Sequence, residues 1–349
     1  MKVFFSLICA IRFLLIALVV AFSQMTSIPW MYWILGIVSI EFLLSFMFVF
    51  YLYPFEHKLE SACEYCYEWF ALWVHDIFGE DEDDYTEGKF DQGAVSLSQS
   101  ESSQRIWLLD LIDAKPGKSY RLLDIGCGNG GLLKDAKVRG IQAIGITTSA
   151  TEAKENQRKG LDCREMNFWN MAPDFFGQFD GVVFNGSLEH MPRSFWKKEK
   201  EYKRLFEIVE KLFDPKSNVK KCAITCIHSK RKRKVKFTDL FHVWVIRGTF
   251  GGVYPKGEEG LVRCARSFDV LMNIDATENY QKTSDYWFRR IKENRRVFYR
   301  KQLLWAPLLL LVDPFFLSKI LMVELESWPR QFRTSNPPVT HRQILLALK

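Results

Sequence analysis

The sequence predicts an α/β protein: a doubly wound parallel sheet preceded by a hairpin of two transmembrane helices. Three observations carry this. Apolar runs of strand length alternate with helix-patterned segments from residue 119 to 227. The first run, "SYRLLDIG", breaks into the glycine turn "GCGNGG". The chain also opens with two long apolar stretches.

Those stretches are residues 3–22 and 28–53, each long enough to span a bilayer. Each holds one charge, Arg12 or Glu41, at about 17–20 Å from the intervening turn at the helical rise. Similar depth makes them an expected pair locking the hairpin. Lys2 precedes the first span, and His57 and Lys58 follow the second, so the positive-inside bias puts both ends in the cytosol. The expected organisation is 1–54 as two membrane helices, 55–98 as a membrane-proximal helix and acidic linker, and 99–349 as the catalytic domain. The expected localisation is a membrane, multi-pass, with the domain facing the cytosol, at the endoplasmic reticulum in a eukaryote.

The rest is read in order. Residues 55–78 form an aromatic helix near the membrane, and 79–93, "GEDEDDYTEGKFDQG", an acidic linker. A helix spans 98–114, with Ser100 or Ser102 as cap. Strands follow at 119–126, 142–147, 163–168, 179–186 and 220–227. Helices lie between them at 131–139, 150–159 and 194–212, and further helices are expected from Gly260 to the end. Residues 302–323 are apolar but interrupted by Pro307, Asp313 and Pro314, so they read as a buried or interface helix rather than a third crossing.

Composition narrows the partners. A net charge of +7 is too modest for a dedicated nucleic-acid binder. An aromatic share of 15%, with 29 Phe and 11 Trp, suits contact with lipid or bulky apolar ligands, and a Phe-rich core accounts for much of it. Cys63 and Cys66 form a single C-x-x-C with no second pair at zinc spacing, so no metal is expected. The run "KRKRKVK", Lys230 to Lys236, reads either as a solvated loop or as an attachment to anionic lipid. Oligomeric state is left open.

The glycine turn states the chemistry. Ligands of open α/β sheets sit beyond the carboxyl ends of the strands. Gly126, Gly128 and Gly130 let the backbone approach a ligand there, and Asp124 closes the strand with an acid. Gly126, Gly128 and Gly131 also satisfy the G-x-G-x-x-G dinucleotide spacing, but an acid beside phosphates is unfavourable. "LLDIGCGNG" instead resembles motif one of class I S-adenosylmethionine-dependent methyltransferases, with a Rossmann-like methyltransferase sheet. "GITTSATEAKENQRKGL", "FDGVVFNGSLEHM" and "YQKTSDYW" narrow the resemblance to the cyclopropane fatty-acid synthase group, over roughly residues 90–330.

That resemblance implies S-adenosylmethionine as cofactor. It implies contacts from Asp124, Gly126, Cys127, Gly128, Gly130, Thr147, Ser149, Asn167, Phe168 and Asn185. Asn167 replaces the group's Asp, and Glu152 stands where the group often has Gln. It also implies acceptor chemistry at Glu189, His190 and Tyr280. In N-methylating relatives a Glu-His pair serves as base and positioner. In cyclopropane formers the Glu helps hold a bicarbonate together with a Cys, a His and a Tyr. Here no Cys occurs between Cys66 and Cys127, and the His falls on Thr225 or on displaced His228. Plain methylation of an alkene carbon or heteroatom in a lipid or apolar acceptor, at a lipid bilayer, is therefore expected. The alternatives are a small-amine N-methyltransferase and a catalytically silent membrane scaffold.

Overall fold

The computed structural model describes residues 85–349 except 92, 118, 195, 231–244, 247–249, 313–319, 323, 325, 334 and 335. Before residue 85 it describes 14, 17, 18, 20, 21, 24, 29, 32, 33, 35–37, 39, 40, 43, 64, 67 and 68. The Arg12–Glu41 pair, the C-x-x-C, and Arg231 to Lys236 of the basic run lie outside the described residues, as does most of the proposed hairpin. No helix among the described residues is long and apolar enough to cross a membrane.

Among the described residues, seven strands form one sheet. In chain order they are β1 (Arg121–Ile125), β2 (Gln142–Thr147), β3 (Cys163–Glu165), β4 (Gly181–Asn185), β5 (Lys221–Ser229), β6 (Phe268–Asp275) and β7 (Val339–Leu348). Their order across the sheet is β3-β2-β1-β4-β5-β7-β6. The first five are parallel, with Leu123 beside Ile144 on one side and Val182 on the other. The reversal of order at β1 and β4 leaves a crevice at their carboxyl ends.

The expectation of a wholly parallel sheet followed only by helices is corrected here. β7 runs antiparallel to β5, from Lys221 opposite Ala347 to Ser229 opposite Val339. β6 pairs antiparallel with β7 through a bulge between Val270 and Met272. β7 is buried along eight of its ten positions, so its polar residues Thr340, His341, Arg342 and Gln343 broke the apolar signal of a strand lying inside the sheet.

Helices cover both faces: α1 (Leu97–Leu111), α2 (Gly131–Val138), α3 (Ala150–Arg158) and α4 (Lys198–Leu212), followed by α5 (Thr277–Val312). The α1 cap is Ser96, whose hydroxyl accepts from Gln99 N–H. Ser100 lies inside the helix and donates to the Leu97 carbonyl at 2.6 Å, so neither Ser100 nor Ser102 is the cap. On α4, Tyr202, Leu205, Phe206, Val209 and Leu212 recur at helical spacing and are all buried. They pack with Phe184 and Ile224 into the larger core, while α1 seals the other face with Leu108, Leu109 and Ile112 against Leu122 and Val183. Each such side chain contributes roughly 1.5–3 kcal/mol of burial. The backbone of α5 stays helical through Pro307.

Residues 85–91, read as part of an acidic linker, are built into this fold. Glu87 is buried, Gly88 N–H donates to Thr283 at 2.8 Å, and Lys89 N–H to the Ser100 carbonyl at 2.8 Å. Glu87 in turn faces His341 of β7 at 3.0 Å and accepts from Gln343 at 2.8 Å. These interior partners account for a buried acid in a segment whose composition suggested solvent.

Candidate active site

The turn after β1 is fixed by its glycines. Gly126 has φ +80°, and a Cβ there would lie 2.4 Å from that of Ser187. Its N–H and that of Cys127 both donate to the Ile146 carbonyl of β2, at 2.8 and 3.1 Å. Gly130, φ +82°, caps α2 in the left-handed region. Gly128 differs: an added Cβ would find nothing nearer than Tyr85 at 4.0 Å. The loop is thus braced at Gly126 and Gly130 and open at Gly128.

That opening leads into a cleft of about 1040 Å³, its open mouth included. Asp124, Gly126, Cys127, Gly128, Thr147, Asn167, Phe168 and Asn185 line it, as anticipated. Gly130 and Ser149 are not on its wall. Gly130 shapes the loop, and Ser149 caps α3, accepting from Glu152 N–H at 3.2 Å. Cys127 contributes mainly backbone, because its thiol packs against Cys163 with 3.3 Å between sulfurs. Asn167 Oδ1 accepts from Trp169 N–H at 2.9 Å, and Phe168 is anchored in the core against Phe184.

Several lining residues escaped the sequence reading. Glu152, noted only as a replacement, is buried on the wall and accepts from the Thr147 hydroxyl at 2.6 Å. Burial pushes its carboxyl up to about 7 against the lowering effect of that hydrogen bond. Glu64, Tyr67 and Glu68 come from the segment expected to lie on the membrane. Their i, i+3, i+4 spacing puts them on one helical face; Glu64 and Tyr67 line the cleft, and Glu68 lies behind it at the start of α3. Glu64 accepts from Asn167 Nδ2 at 2.8 Å, and Tyr67 Oη meets His190 Nε2 at 2.9 Å. Glu68 accepts from the Ser149 and Thr151 hydroxyls, each at 2.6 Å. Burial acts to raise the Glu68 carboxyl, but the bonds from Ser149 and Thr151 prevail and hold it below its ordinary range.

A second cavity, about 550 Å³, adjoins the cleft. Tyr67, Tyr85, Gly186 and His190 belong to both walls. Glu189, His190 and Tyr280 meet here, so the three predicted acceptor residues are brought together. The short turn Leu188–His190 beyond β4 positions the pair. Glu189 is 2% exposed. Its Oε1 accepts from Ile227 N–H at 3.3 Å, while its carbonyl takes Val253 N–H at 2.7 Å. Burial lowers the His190 imidazole against the opposing pull of Glu189, which favours a neutral ring hydrogen-bonded through Nε2 to Tyr67 Oη. Tyr280 stacks on His341 with ring centroids 4.4 Å apart, and burial raises its phenol, with Glu189 adding to the effect.

Neither candidate for the group's second histidine position supplies an imidazole to this chamber. Thr225 donates to Asn185 Oδ1 at 3.1 Å. His228 is buried elsewhere, donating from Nδ1 to the Gly257 carbonyl at 2.9 Å, with burial holding it down at about 4.

The cleft fits a cationic nucleoside better than a phosphate-bearing one. Its described lining holds the acids Glu64, Asp124 and Glu152 and no lysine or arginine. Asp124 is 2% exposed at the strand end. A pyrophosphate would meet these carboxylates, whereas a sulfonium and an ammonium are stabilised by them.

Known proteins agree with this geometry. Residues 64–302 match the mycolic acid cyclopropane synthetase family. A probable fatty acid methyltransferase of Mycobacterium tuberculosis is 38% identical over 115 residues, 31% of this chain and 26% of that protein. The cyclopropane-fatty-acyl-phospholipid synthase of Escherichia coli K12 is 27% identical over 207 residues, 56% of this chain and 48% of that protein. The matched part therefore spans less than half of either curated relative. Mycolic acid cyclopropane synthase CmaA1, solved with S-adenosylhomocysteine (SAH) and the detergent CTAB, superposes with a TM-score of 0.64. That match has 16% identity and covers 82% of this chain and 97% of that one. With more than half of its length inside the family match, and with the Asp124 turn and the Glu189–His190 pair at the sheet edge, this chain belongs to the mycolic acid cyclopropane synthetase family, within the S-adenosylmethionine-dependent methyltransferases.

Proposed function

We propose that this protein transfers a methyl group from S-adenosylmethionine to an alkene carbon or heteroatom of a lipid-like, apolar acceptor. The observation that carries the reading is the continuity of two compartments. An acid-lined cleft and an aromatic chamber share Tyr67, Tyr85, Gly186 and His190. The relatives point the same way, since two are named for fatty acyl chemistry and one structure holds a long-chain detergent.

The cofactor supplies a methyl carbon on a positively charged sulfur. Asp124 and the open backbone at Gly128 would hold its amino-acid end. Thr147 and Glu152 would face the ribose, and Asn167 and Phe168 the base. The remaining work is positioning and exclusion of water. Tyr280, Trp287 and Trp328 form an apolar wall against the acceptor. Glu189 and neutral His190 stand at its polar end, within reach of a proton lost by the acceptor.

The reading includes an anchor. Residues 1–54 would hold the chain to a bilayer as two helices, with 55–98 next to it and the catalytic residues 99–349 facing the cytosol. The basic run from Lys230 would add attraction to anionic lipid, at about 1 kcal/mol per residue near the surface.

The test uses the full chain, labelled methyl donor and a membrane extract. Label should enter the organic-soluble fraction. Label confined to water-soluble products would remove the lipid proposal. Failure to bind SAH in a calorimeter would remove the enzyme reading and favour a silent scaffold.

A further inference from the structure

Beside the glycine turn lies a pair of thiols to which methyl transfer gives no task. Cys127 in the turn and Cys163 at the start of β3 bring their sulfurs to 3.3 Å, although β2 lies between β1 and β3 in the sheet. Gly145 of β2 makes the room. It is buried and in register between Asp124 and Cys163, and a Cβ there would stand 2.7 Å from the Cys127 sulfur. A glycine inside a strand marks such a close approach. Leu133, Ala153 and Leu161 pack with the two cysteines in a small apolar cluster.

The pair is joined to the cleft at two points. Cys127 is on the cleft wall, flanked by Gly126 and Gly128, which also line it. Asn156 Nδ2 donates to the Gly128 carbonyl at 2.8 Å and to the Cys163 sulfur at 3.6 Å. The hydrogen bond from Cys127 holds the Cys163 thiol below its ordinary range, while that bond and burial raise Cys127. Cys163 is therefore the more readily ionised sulfur of the two.

Resting on the reading above, we infer that Cys127 and Cys163 are an oxidation site, closing to a disulfide when a small hydroperoxide enters the cleft, and that closure weakens the hold on the cofactor. The Cys163 thiolate attacks the peroxide. The O–O bond breaks, leaving a sulfenic acid and a hydroxide that takes up a proton as water. The Cys127 thiol then displaces the sulfenic oxygen as a second water, and the S–S bond forms. Each sulfur loses one electron and the peroxide gains two. The sulfurs must close from 3.3 Å to about 2.05 Å. Gly126 and Gly130 are braced, so the shift of Cys127 falls on Gly128, the open part of the turn. By linkage, bound cofactor disfavours the disulfide by the factor by which the disulfide disfavours cofactor.

The reduced full chain is treated with hydrogen peroxide, with and without saturating SAH. Remaining thiols are capped with iodoacetamide, and peptides are mapped without reduction. The chain treated alone should yield peptides linked from Cys127 to Cys163. Its SAH affinity in the calorimeter should fall at least about tenfold and return with dithiothreitol. SAH present during treatment should lower the yield of the link. Cys163→Ala should bind SAH within about twofold of wild type, before and after peroxide. Absence of the linked peptides overturns the inference. So does a link that leaves SAH affinity unchanged, a link formed equally well with SAH bound, or an equal loss of affinity in Cys163→Ala. If Cys163→Ala does not fold, the linked peptides and the dithiothreitol reversal in the wild type decide. A reduced chain that fails to bind SAH defeats the proposed function separately, because the peptide map reads the bond without SAH.

Discussion

Glu152 is a buried acid whose carboxyl is held well above the usual carboxylate range. Its carboxyl is raised from 4.5 to about 7, chiefly by burial. A raised acid favours the folded state while protonated. Its contribution is full below about pH 4.5 and is lost as pH rises through 7. At 1.36 kcal/mol per pKa unit the loss approaches about 3 kcal/mol. Glu152→Gln should therefore lose less stability than the wild type between pH 5 and pH 8.5 in denaturant titrations. Parallel pH dependence in the two proteins would show that Glu152 does not titrate in this range. At this scale the sequence was informative where a residue type is dictated by local geometry. Asp124 ends an apolar strand and Gly126 begins a turn, and both stand where that pattern put them. Glu152 was visible as a departure from Gln, but its burial was not, because three polar neighbours in "TSATE" suggest solvent. Tyr67 and Glu68 could not be read at all. Their partners His190, Ser149 and Thr151 lie 80 or more positions away, and an aromatic, acidic segment after two apolar runs suggests a bilayer surface first.

The same division appears among the elements. β1, β4 and β5 were legible because parallel strands buried on both faces read as apolar runs. β7 was missed because its interior position is stabilised by polar pairs, His341 with Glu87 and Gln343 with Glu87, that no periodicity signals. The glycine turn is the element on which the cleft depends. Gly126→Ala would place a Cβ 2.4 Å from that of Ser187 at φ +80°. A left-handed alanine alone costs about 1–2 kcal/mol, and the clash adds to it. The variant should lose at least about 2 kcal/mol in denaturant unfolding, with SAH binding weakened beyond detection in the calorimeter. Gly128→Ala at open space should be the milder change for stability. If Gly126→Ala were as stable as wild type, the loop would not be braced against Ser187.

The whole molecule joins an α/β domain to an N-terminal stretch with two long apolar runs. The anchoring proposed above belongs to residues 1–54 and is tested there. The full chain should sediment with neutral phosphatidylcholine vesicles, and a chain lacking residues 1–54 should not. Any remaining attraction in the shortened chain should require anionic lipid and fade with salt, as expected of the basic run from Lys230. Equal sedimentation of both chains on neutral vesicles would place the anchor elsewhere.

Tyr67, Tyr85, Gly186 and His190 border both compartments, which has a practical consequence for inhibition. A compound carrying an adenosine-like group on a short tether to an arylalkyl arm could occupy both spaces at once. Its second half would bind at the high effective concentration set by the tether. Enzymes that share the nucleoside cleft but not this ring of aromatic walls would gain nothing from the arm. The selectivity of such a compound would therefore come from the partition between the rooms rather than from either room alone.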